Sequence, residues 1–202
     1  GSSRRCSGTT RLSKLRLAEA RVLVPIAQAH AQASHVLQAN GCGTEHAKAI
    51  VDHLIDAELC GVESHGIMRV LQYADEFRRG YLVANVVPNV TSGSSATMDV
   101  DGAGGIGILA MNAATDAGID AARKLGVAAL AVRNIGHTGR LGAFAERAAD
   151  AGCLFIACGG GARERWRMVA PYGGSKAVLP INPWCLGIPG GAQGAVVLDC
   201  AT

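Results

Sequence analysis

GVAALAVRNIGHTGRLGAFAERAADAG, residues 126–152, is the stretch whose reading decides the fold. Residues 126–134 run apolar almost without a break, the pattern of a buried strand. GHTGRLG (136–142) then sets a histidine and an arginine among glycines, a loop composition. LGAFAERAADAG (141–152) has helical periodicity and a glycine stop at Gly152. CLFIAC (153–158) reads as a strand again. Strand, loop, helix and strand in succession predict an α/β layer structure.

The neighbouring segments extend that pattern. Residues 107–125 predict a helix, and YLVANVVPNVT (81–91) and SATMDVD (95–101) look extended. AVVLD (195–199) is a further strand. Before Gly80 the texture is helical. Pro25 suits the first position of a helix running to about Asn40, and Gly41 stops it. Thr44 is placed to cap a second helix with Ile50, Val51, Leu54 and Ile55 as its apolar stripe, ended by Gly61. Ser64 is placed to cap a third, with Arg78, Arg79 and Gly80 as stop signals. The expected organisation is a basic flexible tail over 1–17, a helical domain over 18–80, and an α/β nucleotide- and substrate-binding domain over 81–202.

Composition narrows the function classes. With 49% hydrophobic and 17% charged residues over 202 positions, the chain can bury a real core. A net charge of +3 is too small to imply nucleic acid. Cys6, Cys42, Cys60, Cys153, Cys158, Cys185 and Cys200 have neither metal-ligand nor disulfide-framework spacing, which argues for a reducing compartment and no metal. No apolar run reaches membrane length. A cytoplasmic setting follows. The basic start, acid-free until Glu19, keeps a mitochondrial address as the alternative.

Several stretches could carry chemistry. GAGGIG (102–107) matches the dinucleotide pattern G-x-G-x-x-G, but the residues before it carry Asp99 and Asp101, and the later strand ends in Arg133–Asn134. The match is weak, and a structural turn is the competing reading. His137 lies just beyond the carboxyl end of a predicted strand, where ligands of open α/β sheets bind. In GVESHGIMR (61–69), Ser64 as N-cap would put His65 in a first helical turn, where the helix dipole disfavours imidazolium. Arg69 and Tyr73 follow at helical spacing on the same face. An arginine fork beside a proton-relay group suits a substrate whose carboxylate adjoins its reacting carbon. The alternative is a capped surface helix with a polar face. Asp199 could orient a histidine, hold a ribose hydroxyl, or cap a turn. Arg163, Arg165 and Arg167 around Trp166 could meet a cofactor phosphate or simply form a solvated face. His30, His35, and His53 with Asp56 read as surface positions.

Taken together, DAELCGVESHGIMRVLQYADEFRRG (56–80), VDGAGGIG (100–107), residues 126–152, APYGGSKAVLPINP (170–183) and VVLDCAT (196–202) resemble the second, non-Rossmann type of malate/L-lactate dehydrogenase. That family also holds ureidoglycolate, sulfolactate, diketogulonate and piperideine-2-carboxylate reductases. The resemblance implies a mixed α/β/α layered nucleotide-binding domain after the helical segment, in a homodimer. It implies a dehydrogenase using NAD or NADP on small 2-oxo or 2-hydroxy acids. It implies that Ser64, His65, Arg69 and His137 line the substrate site, with Asp199 beside it. Gly161, Asn182, Pro183, Asp199, Cys200 and Ala201 would meet the cofactor, and GAGGIG would be a structural turn. Arg69 is expected to clamp the carboxylate, His137 to act as acid/base and His65 to polarise the carbonyl. Three departures stand out. Pro180-Ile181-Asn182-Pro183 replaces the family's Gly-Thr-Asn-Pro, Thr138 stands where an aromatic usually follows the loop histidine, and the sequence stops at Thr202 where members continue. The chain is therefore expected to be the N-terminal part of a longer enzyme. A cyclic-imine reductase and a non-catalytic binding module are the alternatives.

Overall fold

The computed structural model describes residues 22–93, 96–161 and 168–201. Three helices come first: α1 (Ile26–Ala39), α2 (Thr44–Leu59) and α3 (Arg69–Arg78). Pro25 stands just outside α1, and Gly41, Gly61 and Gly80 follow the three helices with φ of +92°, +74° and +66°. Those left-handed angles are where glycine is needed. Two expected caps are corrected. Thr44 is the first residue of α2 and makes no capping bond, with Gly43 in the cap position. Ser64 does not start α3: residues Glu63–His65 form a separate 3₁₀ turn, and α3 begins at Arg69.

The expected stripe on α2 packs as read. Ile50, Val51 and Leu54 are fully buried with Leu37 of α1 and Tyr73 of α3, and Ile55 packs against their edge. Ile106 and Ile108 join the same cluster, so the helical layer is sealed onto the α/β part by one continuous core.

The α/β part holds two three-stranded sheets. In the first, β1 (Asn89–Ser92) pairs antiparallel with β2 (Thr97–Gly105), and β2 pairs parallel with β3 (Ala129–Ile135). The parallel pair requires a crossover, which α4 (Gly107–Leu125) supplies. In the second, α5 (Gly142–Asp150) packs on the antiparallel order β4 (Phe155–Cys158), β5 (Trp184–Ile188) and β6 (Val196–Cys200). The α/β class with a leading helical segment is thus as expected. Two details differ. β5 was not foreseen. β3 is not buried on both faces: Leu130 and Val132 meet α4, whereas Ala129, Ala131 and Arg133 are exposed. Cover on a single face suffices because α4 packs on one side only.

The register of the second sheet aligns Ile156, Leu186 and Leu198 across one face, with Trp184, Ile188 and Val196 beside them. Most of that face is exposed, while Cys185, Val197 and Phe155 turn inward to α5. Among the described residues no helix is long and apolar enough to cross a membrane. The basic segment 1–17 and the arginines around Trp166 lie outside the described residues.

GAGGIG is a packing device. Its strand register shifts between Asp101 and Gly105, and Ala103 there takes φ +52°. A Cβ on Gly102 would come within 2.3 Å of the Ile135 side chain. One on Gly107 would come within 2.5 Å of the Gly136 carbonyl and 2.8 Å of the His137 carbonyl. The glycines let α4 and β2 lie directly against the His137 loop, which supports the structural-turn reading. Gly107→Ala should therefore cost about 1–3 kcal/mol of stability, since backbone rather than a flexible side chain must give way. Chemical denaturation measures this, and an unchanged midpoint would refute the close packing.

Candidate active site

His65 and His137 meet although they come from different layers. Their rings stack at 5.1 Å between centroids, 30° from parallel. His137 follows β3, whose end is turned by Asn134 at φ +55°, with its side-chain amide donating to Asp101. The Tyr73 hydroxyl donates to His137 Nδ1 at 2.7 Å, and the Gly139 N–H donates to the same nitrogen at 3.2 Å. With Nδ1 an acceptor, the proton of the neutral ring resides on Nε2. Burial first, then Arg69, His65 and His53, together lower the His137 pKa to about 3. His137 is held as a neutral Nε2–H imidazole.

The turn carrying His65 is fixed from α2. Glu58 Oε2 accepts the Ile67 N–H at 3.0 Å, and a Cβ on Gly66 would collide with that carboxylate. Ser64 Oγ lies 3.0 Å from His65 Nδ1. His65 is held below its ordinary pKa, by burial first and then by Arg69, with Asp199 opposing. Desolvation, not a helix dipole, is the cause, because no α-helix starts at Ser64. Arg69 Nε donates to the Ser64 carbonyl at 2.6 Å and its Nη1 to Gln72 Oε1 at 2.5 Å. Gln72 in turn donates to Glu76 at 3.0 Å. These bonds fix the guanidinium plane beside the two imidazoles.

Asp199 accepts the Gly142 N–H at 2.7 Å, at the first residue of α5. A carboxylate there satisfies an orphan donor and faces the positive end of the helix dipole. Gly161, Pro183, Cys200 and Ala201 line the same long, open depression as His65, Arg69, His137 and Asp199, whereas Asn182 is exposed and lies outside that lining. All four residues expected at the substrate site, and Asp199, thus fall in one region, Ser64 through its contact with His65.

Sequence reasoning missed the supports. Arg140, 6% exposed, donates to Asp56 and to both oxygens of Glu146. His53 is not a surface residue: it is 8% exposed and stacks on Phe144 at 5.1 Å. Its one signal was the position i+3 from Ile50, on the apolar stripe of α2. Among the described residues, buried Nε2 of His53 has no hydrogen-bond partner, and burial is the main cause that lowers its pKa to about 4. A depressed imidazole leaves stability intact above the unfolded value of 6.5 and removes it as pH falls towards the folded value. Stability should therefore decline between pH 6.5 and 4, by on the order of 3 kcal/mol from His53 alone. His53→Phe should make that slope shallower in urea titrations at successive pH values, leaving the part that His137 and His65 contribute. An equal slope in the variant would remove His53 as the cause.

Comparison with known proteins follows the same lines. The sequence matches the malate/L-lactate dehydrogenase family over residues 24–202. It is 33% identical to hydroxycarboxylate dehydrogenase B of Escherichia coli, over 86% of this chain and 47% of that protein. It is 33% identical to a Delta(1)-pyrroline-2-carboxylate reductase of Ancylobacter novellus, over 90% of this chain and 52% of that protein. The solved malate dehydrogenase of Pyrococcus horikoshii superposes with a TM-score of 0.82 at 30% identity, covering 90% of this chain and 51% of that one. In fold, this chain resembles the solved dehydrogenases of that type. It belongs to the malate/L-lactate dehydrogenase family, and it spans about half the length of the curated relatives it matches.

Proposed function

We propose that this chain forms the substrate centre of an NAD- or NADP-dependent oxidoreductase that interconverts small 2-oxo and 2-hydroxy acids. The observation that carries the reading is the stacked His65–His137 pair with Arg69 beside it. Arg69, held by Ser64 and Gln72, presents its remaining Nη2 edge to a substrate carboxylate. His137, locked as the neutral Nε2–H form, donates a hydrogen bond to the carbonyl oxygen and polarises it. His65 supplies the proton. Asp199 favours a charge on His65, whereas each charged neighbour acting on His137 opposes one there. Two imidazoles this close hold at most one proton between them. This exchanges the roles expected from sequence, because Asp199 acts on His65 and no carboxylate acts on His137 in the same way.

A nicotinamide ring needs a flat, water-poor slot beside the acid. Pro183 and Gly159 to Gly161, without side chains, offer such a wall in the same depression, and Cys200 and Ala201 line it near Asp199. When bound there, the cofactor would supply the hydride. The homodimer implied by the resemblance accords with the exposed apolar face of the second sheet. Free thiols at Cys42 through Cys200 accord with a cytoplasmic setting.

A second reading, reduction of a cyclic imine, is favoured by the likeness to the pyrroline-2-carboxylate reductase and uses the same residues. Oxidation of NADH and NADPH by the whole protein should be followed with pyruvate, oxaloacetate and piperideine-2-carboxylate. Turnover of either oxo acid supports the first reading, and turnover of the imine alone the second. No oxidation with any of them by folded protein would leave a binding module.

A further inference from the structure

We propose that Arg140 is a positioning residue of this site, and that the carboxyl-terminal end of α2 sets the distance between the two histidines through it. The inference rests on the proposed oxidoreductase reading. Arg140 is buried and three residues beyond His137, in the loop whose Gly139 N–H fixes the His137 tautomer. Its guanidinium binds Glu146 of α5 through two bonds, at 3.0 and 2.7 Å, and Asp56 of α2 at 2.6 Å. It also packs beside Gly142: a Cβ there would stand 2.6 Å from Arg140 Nη1 and 3.4 Å from Asp199 Oδ2. A buried guanidinium is costly to desolvate, and it does not contact the reacting groups. What it does is tie α2 and α5 to the loop that carries His137.

The other half of the gauge leaves α2 two residues later. Glu58 accepts the Ile67 N–H and so holds the turn that carries His65. Asp56 and Glu58, on one rigid stretch of helix, thus reach the two loops separately. Asp56 acts on the His137 loop through Arg140, and Glu58 acts on the His65 turn directly. The 5.1 Å imidazole stack is the product of those two anchors.

The test is Arg140→Lys in the whole protein, with Asp56→Asn and Glu146→Gln as milder variants that carry the comparison if the lysine form does not fold. Lysine keeps the charge but cannot bridge both carboxylates with a planar fork. The expected result is a kcat lower by about 10- to 100-fold with KM for the oxo acid within about three-fold, the signature of misplaced reacting groups. In histidine-labelled protein, the ¹⁵N signals of His137 should move from the single Nε2–H form towards a mixture of tautomers. Lower thermal stability with unchanged kcat per folded molecule and an unchanged His137 tautomer would overturn the proposal and leave Arg140 a structural tie. If the parent protein reduces none of the substrates, the oxidoreductase reading fails while the tautomer measurement still decides the positioning role.

Discussion

His65→Gln should lower kcat by about 10²–10⁴, the span of general acid–base catalysis, and should abolish the pH limb of the reductive reaction. The sign follows from the site. Burial and Arg69 hold His65 below its ordinary value of 6.5, so its protonated form grows as pH falls. Reduction should speed up towards acid pH through a midpoint below 6.5. Glutamine retains a donor but has no proton to give, so the limb should vanish. His137→Gln should cost less and keep the limb, because an amide can still polarise the oxygen. Rate profiles of kcat/KM for both variants decide the matter. A limb lost in His137→Gln and kept in His65→Gln would restore the assignment read from sequence.

Arg69→Lys should reduce kcat/KM by a factor of about 10–1000. One charge-assisted contact of about 1.5–3 kcal/mol is lost, and the substrate is less well oriented. Lysine cannot reproduce the Nε bond to the Ser64 carbonyl together with the Nη1 bond to Gln72. Near-parental kcat/KM in steady-state assays would remove Arg69 from the substrate site.

Local signals in the sequence were sufficient where local forces decide. Helix α4 spans the expected residues because its apolar spacing and the left-handed Gly126 bound it from within. Gly41, Gly61, Gly80 and Gly152 mark helix ends for the same reason. The failures lie where a distant partner decides. The start of α3 is displaced from Ser64 because Glu58, nine residues before Ile67, takes the Ile67 N–H. His53 looked polar beside Asp56, but Phe144 of another element covers it. Arg140 looked like a loop charge, yet two carboxylates from separate helices bury it. β5 escaped notice because WCLGI is short, apolar on both alternations and bounded by Pro183 and Pro189. The candidate site was legible as residue types, while the partners that hold each ring could be read only from the fold.

The Tyr73–His137 bond joins residues 64 apart in sequence, one from the helical layer and one from a loop of the α/β part. Such a site persists only while the two layers stay docked. A sub-global opening that lifts α3 away would dissolve the His65–His137 pair with every strand still paired, and openings of this kind cost less than global unfolding. Low denaturant should therefore extinguish activity before circular dichroism changes, and amide exchange at Gly139 should accelerate over the same range while β2 and β3 stay protected. The site would carry its own fuse, placed at the seam between layers.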